Sequence, residues 1–147
     1  LGKMIKEMIA LASDHGGYAL KAELAAWLGE RGIAAVDLGP HSVDSVDYPD
    51  YADLLADAIR AGRAQRGVLI CGSGIGISIA ANRHRWIRAA LCHDVTTAKL
   101  CRAHNDANVL ALGARIIGPE VAKDCLAAFL ETPFDGGRHV RRVDKMS

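Results

Sequence analysis

Aromatic side chains are scarce: two Trp, three Tyr and two Phe make up 5% of the 147 residues. Ala, Leu, Ile and Val must therefore fill most of any core. No apolar run approaches the roughly 18–20 residues that span a bilayer, so no membrane helix is expected. The first residues, Leu1 to Met8, lack a long apolar region and a small-residue cleavage site, which speaks against a secretory signal. Charge of one sign is also missing. Lys and Arg number 18 and Asp and Glu 17, for a net +1, and this leaves no general electrostatic case for nucleic acid or a membrane surface. The cysteines, Cys71, Cys92, Cys101 and Cys125, fit neither a zinc knuckle nor a C-x-x-C redox pair, so a reducing cytoplasm is expected. The histidines show no H-E-x-x-H spacing, and no metal site is expected.

What is present points to one α/β domain over residues 1–147. Half of the residues are hydrophobic, enough for a proper core. Residues 1–7, with Leu1-Gly2-Lys3 ahead of Met4, are expected to be disordered or foreign to the domain. Apolar runs and helical stripes then alternate. Met8 to Ala12 is a strand and ends at Ser13-Asp14-His15-Gly16-Gly17. Leu20, Leu24, Trp27 and Leu28 recur at helical spacing, with Gly32 where the helix ends. Ala34 to Leu38 is the second strand. Pro49 opens a helix with Tyr51, Leu54, Leu55 and Ile59 on one face. Gly67 to Cys71 is the third strand and turns through Gly72-Ser73-Gly74-Ile75-Gly76 into a short helix. Arg88 to Cys92 and Asn108 to Leu112 are further strands, with a helix from Val95 to Arg102 between them. Gly118-Pro119 starts a last helix with Val121, Cys125, Leu126 and Phe129 inward. Five apolar strands alternating with helices indicate a parallel sheet covered on both faces. Residues 132–147 lack a clear pattern and are expected to pack on a partner subunit.

Ligands of such sheets bind at the carboxyl ends of the strands. That rule selects Asp14 to Gly17, Cys71 to Gly76, and His93-Asp94. The glycines of the second stretch let backbone N–H groups approach an anion, and the helix start adds positive field. A thiol in that field ionises more readily than an ordinary cysteine of pKa about 8.5. One loop could thus hold both a base and the stabiliser of the charge it creates. The same spacing also fits a strand–helix turn with an inert buried Cys. A dinucleotide fingerprint fails at Ile77, where Gly or Ala is needed, and a Walker loop fails because no Gly-Lys-Ser/Thr follows. Asp14 could bind hydroxyls or simply cap the next turn. His104 could shuttle a proton or be merely structural. Arg115, Arg138 and Arg142 could clamp a phosphate, or the last two could form a solvated tail.

Taken together, Ser13-Asp14-His15-Gly16-Gly17, Asp47-Tyr48-Pro49, Cys71 through Asn82, His104-Asn105-Asp106-Ala107-Asn108, Gly113-Ala114-Arg115 and Gly137-Arg138-His139-x-x-Arg142 resemble type B ribose-5-phosphate isomerases. The resemblance extends to relatives acting on allose 6-phosphate and galactose 6-phosphate, and it runs from Ile9 to about Val143. It implies a three-layer Rossmann-like sandwich with strand order 2-1-3-5-4. It implies a homodimer or tetramer with active sites shared between subunits, and an aldose–ketose isomerase that needs no cofactor. It further implies Cys71 as the base, His104 as the ring-opening residue and Ser73 as a hydroxyl near the reacting carbons. By the same likeness Asp14, His15, Tyr48, Asn105 and the loop of Gly72, Gly74, Ile75 and Gly76 line the sugar site. Arg115, Arg138 and Arg142 match the phosphate-binding arginines. Family members without the Cys carry a Glu just after the glycine loop, where this chain has Ile77. A six-carbon sugar phosphate as substrate, or a non-catalytic sugar-phosphate-binding domain, are the alternatives.

Overall fold

A computed structural model describes residues 7–147. Of the leader expected over residues 1–7, residues 1–6 lie outside the described residues. Glu7 departs from that expectation: its carboxylate pairs with Arg66 at the start of the third strand.

Five parallel strands form one sheet: β1 (Ile9–Ser13), β2 (Ala35–Asp37), β3 (Arg66–Cys71), β4 (Ala89–Leu91) and β5 (Val109–Gly113). Their spatial order is β2-β1-β3-β5-β4, as the resemblance implies. Side chains alternate across the sheet, and each face has its own core. Ile9, Leu11, Val68, Ile70, Leu110 and Leu112 face α1 (Tyr18–Glu30), α4 (Val95–Ala103) and α5 (Pro119–Glu131). Ala10, Ala12, Leu69, Cys71 and Val109 face α2 (Tyr48–Arg60) and α3 (Ile75–Ala81). Burial on both faces explains why β1, β3 and β5 read as unbroken apolar runs.

The edges depart from the reading of five covered strands. In β2 both Ala35 and Asp37 are exposed, and all of β4 is half-buried, because an edge strand has a neighbour on one side only. Leu54 and Val121, expected inward, are 46% and 40% exposed. Ala52, Leu55 and Ala56 face the core instead on α2, and Ala122 does so on α5. The segment after Thr132 holds a helix that the pattern did not reveal, α6 (Arg138–Lys145). Only Val143 of that helix is buried, so it carries no apolar stripe to read. Among the described residues, no helix is long and apolar enough to cross a membrane.

Candidate active site

Connections from β1 and β3 leave in opposite directions, toward β2 and toward β5, which makes the β1/β3 boundary the switch point of the sheet. A cleft of about 490 Å³ opens there, lined by Asp14, His15, Tyr48, Cys71, Ser73 and Arg115 together with the glycine loop.

Cys71 ends β3 and is 4% exposed. The chain then reverses at Gly74, whose φ of +78° and whose closeness to the Leu112 backbone admit no side chain. This turn aims the Gly74 N–H at the Cys71 sulfur, at 3.1 Å. The sulfur is the acceptor of that bond. The Ser73 hydroxyl oxygen accepts from the Ile75 N–H at 3.1 Å, leaving its own proton free to donate. Gly76 lies in the first turn of α3, where amides lack helical partners, and the Tyr48 ring packs directly against it.

Strand β5 completes this wall. Its exit is fastened to the glycine loop by Ala114 N–H to Cys71 O and Arg115 N–H to Gly72 O, both 2.9 Å. The Arg115 side chain is thereby laid beside Gly72. On the opposite wall the Asp14 carboxylate accepts from Gly17 N–H at 3.0 Å, so the capping reading holds for one oxygen while the residue still lines the cleft. The His15 Nδ1 accepts from Val46 N–H at 3.1 Å. In the neutral ring this places the proton on Nε2, a donor for a phosphate or hydroxyl oxygen.

The remaining candidates are not in this cleft. Helix α4 starts at the carboxyl edge of the sheet and returns to the amino edge, and His104 caps it there. Asn108, just beyond, bonds to the carbonyl of Arg88 at the entry to β4. The five residues of β5 separate that edge from Cys71, roughly 16 Å at about 3.3 Å per residue. The His104 ring stacks on His139 of α6, with centroids 4.4 Å apart, so Arg138 and Arg142 of the same helix belong to this second group. Asn105 opens on another hollow, beside Asn82, Ala90 and Met146. One chain therefore keeps His104, Asn105, Arg138 and Arg142 apart from the cleft around Cys71. His93-Asp94, selected by the strand-end rule, lies outside the cleft: Asp94 caps α4 by accepting from Thr97 N–H at 2.7 Å. That bond holds its carboxyl below the usual range. The exit of β5 should have been selected instead, since Arg115 and Ile116 both line the cleft.

The other thiols sit in the core. Burial pushes Cys125 up to about 11, and a hydrogen bond in which Cys101 supports Cys92 lowers Cys92 and raises Cys101. All four cysteines are free.

The fold and the cleft define a Rossmann-like protein with a thiol in an amide cradle at its switch point. A family model described as Ribose/Galactose Isomerase matches residues 9–146, and the chain belongs to that family. It is 47% identical over 139 residues to ribose-5-phosphate isomerase B of Escherichia coli, covering 95% of this chain and 93% of that one. It is 43% identical over 140 residues to D-erythrulose-4-phosphate isomerase of Pectobacterium atrosepticum, covering 94% and 91%. Among solved structures, a ribose 5-phosphate isomerase of Thermotoga maritima superposes with a TM-score of 0.94 at 49% identity, covering 97% and 98%. Ribose-5-phosphate isomerase B of Clostridium thermocellum gives 0.93 at 49%, covering 95% and 94%.

Proposed function

We propose that this protein is an aldose–ketose isomerase that interconverts ribose 5-phosphate and ribulose 5-phosphate, with Cys71 as the base. The observation that carries the reading is the Gly74 N–H directed at the Cys71 sulfur inside a cleft that also holds Arg115 and His15.

In this reading the cleft around Cys71 is completed by the His104 group of a second copy of the chain. In this arrangement Asp14, His15, Tyr48, Cys71 to Gly76 and Arg115 of one copy face His104, Asn105, Arg138 and Arg142 of another. Exposed apolar residues around the cleft, Ile75 at 52%, Ile79 at 57% and Ile116 at 55%, support a covered surface there. Residues 132–147, with α6, pack on the second copy in this reading. The whole chain acts as one sugar-phosphate isomerase domain. Its four free thiols suit the reducing cytoplasm.

In the reaction, the arginines and His15 hold the phosphate, and His104 assists opening of the furanose to the C1 aldehyde. The Cys71 thiolate removes the C2 proton, and the electron pair moves onto O1 to give the enediolate. The amides of Gly74 and Ile75 are engaged by sulfur and by Ser73, and the other N–H groups of the loop from Gly72 to Gly76 stabilise the enediolate oxygen. The thiol returns its proton to C1 as the C2 carbonyl forms, and the hydroxyl proton passes from O2 to O1 through Ser73. The carbonyl itself acidifies the neighbouring carbon, so no cofactor is needed.

The test is an isomerase assay across the phosphates of ribose, erythrose, allose and galactose, with Cys71→Ala as control. Turnover of ribose 5-phosphate that collapses in Cys71→Ala supports the reading. Turnover of a six-carbon phosphate alone would move the substrate to the alternative, and no turnover of any would leave a binding domain.

A further inference from the structure

Beside His104 the structure gathers two further groups, Asp135 and His139, that the proposed chemistry does not use. Asp135 lies in the loop entering α6, and its N–H donates to the Ala103 carbonyl at 2.9 Å, which fixes that loop against the end of α4. Two residues with positive φ follow, Gly136 and Gly137, and α6 then brings His139 back over His104. One ligand atom from each of His104, Asp135 and His139 lies within 4.8 Å of the other two.

We propose that His104, Asp135 and His139 form a binding site for a zinc-class divalent ion, and that the ion inhibits the enzyme by occupying the His104 imidazole. Two imidazole nitrogens and one carboxylate oxygen are a borderline donor set, suited to zinc and its neighbours rather than to magnesium or calcium. Bonds of about 2.0–2.1 Å in a tetrahedron bring ligand atoms to roughly 3.4 Å apart. The cluster must close by a little over an ångström, and the exposed Asp135 side chain is the member free to move. The two rings lie 12° from parallel, so their in-plane lone pairs do not yet meet at one point. One ring has to turn about its Cβ–Cγ bond, and both are only half-buried. A three-residue set also leaves an open fourth position for water.

Binding does not depend on the isomerase reading, whereas inhibition rests on the role given to His104 there. The Cys71 thiol is a competing zinc ligand, so uptake is measured in the Cys71→Ala protein by titrating zinc against a chromophoric chelator. One ion per chain is expected. In that background Asp135→Asn or His139→Gln should weaken uptake by about tenfold or more, because even residues supporting a ligand are worth that much. With Cys71 present, zinc should suppress turnover and a chelator should restore it. Asp135→Asn should keep zinc-free turnover and lose most of the inhibition. Uptake that neither variant weakens, or no uptake at all, overturns the site. Uptake without inhibition supports the site and counts against His104 as the ring-opening residue.

Discussion

A single amide nitrogen at 3.1 Å from its sulfur separates Cys71 from the three other thiols of this chain, which are packed among apolar side chains in the opposite core. In the proposed reaction, removing the Cys71 thiol costs the usual contribution of a general base. Cys71→Ala should lower kcat by about 10²–10⁴ with little change in KM, and steady-state rates on ribose 5-phosphate check it. A second residue-scale prediction concerns Lys21. It is 1% exposed, and its ammonium donates to the Asp37 carboxylate at 2.6 and 2.7 Å and to the Pro40 carbonyl at 3.0 Å. Asp37→Asn strips the counter-charge from a buried cation. Because Asp37 is itself partly exposed, the expected loss is about 2–3 kcal/mol, below the roughly 3–5 kcal/mol of a fully buried pair, read by urea unfolding. Cys71 was legible in the sequence because its glycine cradle is contiguous. The Lys21–Asp37 pair and the bond from Val46 to His15 were not, since both join residues brought close only by tertiary packing.

Elements differ in how much of their function is local. Helix α3 is short, and its first turn has to pass beneath Tyr48: a methyl group at position 76 would sit 2.5 Å from the ring. Gly76→Ala should therefore push the ring or the helix aside and lower kcat/KM by up to about 10²-fold, the scale of a misplacement near one ångström. Helix α4 is capped by Asp94, whose carboxyl is held below its usual range by the Thr97 amide. A depressed folded value means stability that is present above the ordinary carboxylate range and lost as pH falls through the folded value. The gap in Tm between wild type and Asp94→Ala should thus be widest near neutrality and close in acid, as thermal melts from pH 7 to pH 2 would record. Strands β1, β3 and β5 and helices α1, α4 and α5 were readable from apolar patterning because both faces of the sheet are covered. Helix α6 was not, because seven of its eight residues are not buried and it carries no apolar stripe to read.

At the scale of the whole molecule, the strand order carries the argument for function. It puts Cys71 at the carboxyl edge of the central strand and His104 at the amino edge of the same sheet, too far apart to act on one sugar. The sequence named both residues, but it could not show that a single chain keeps them apart, because that separation arises from the direction in which α4 runs. In the proposed arrangement, isologous pairing of two copies would give two identical composite sites, each drawing Cys71 from one chain and His104 from the other. Cys71→Ala and His104→Ala proteins should each be nearly inactive alone. Mixed one to one and allowed to exchange, half of the dimers are hybrids, and each hybrid has one intact site of two. Activity on ribose 5-phosphate should then return to about a quarter of the wild-type value. Hybrids verified by native mass spectrometry that stay as inactive as either parent would contradict a site shared between chains.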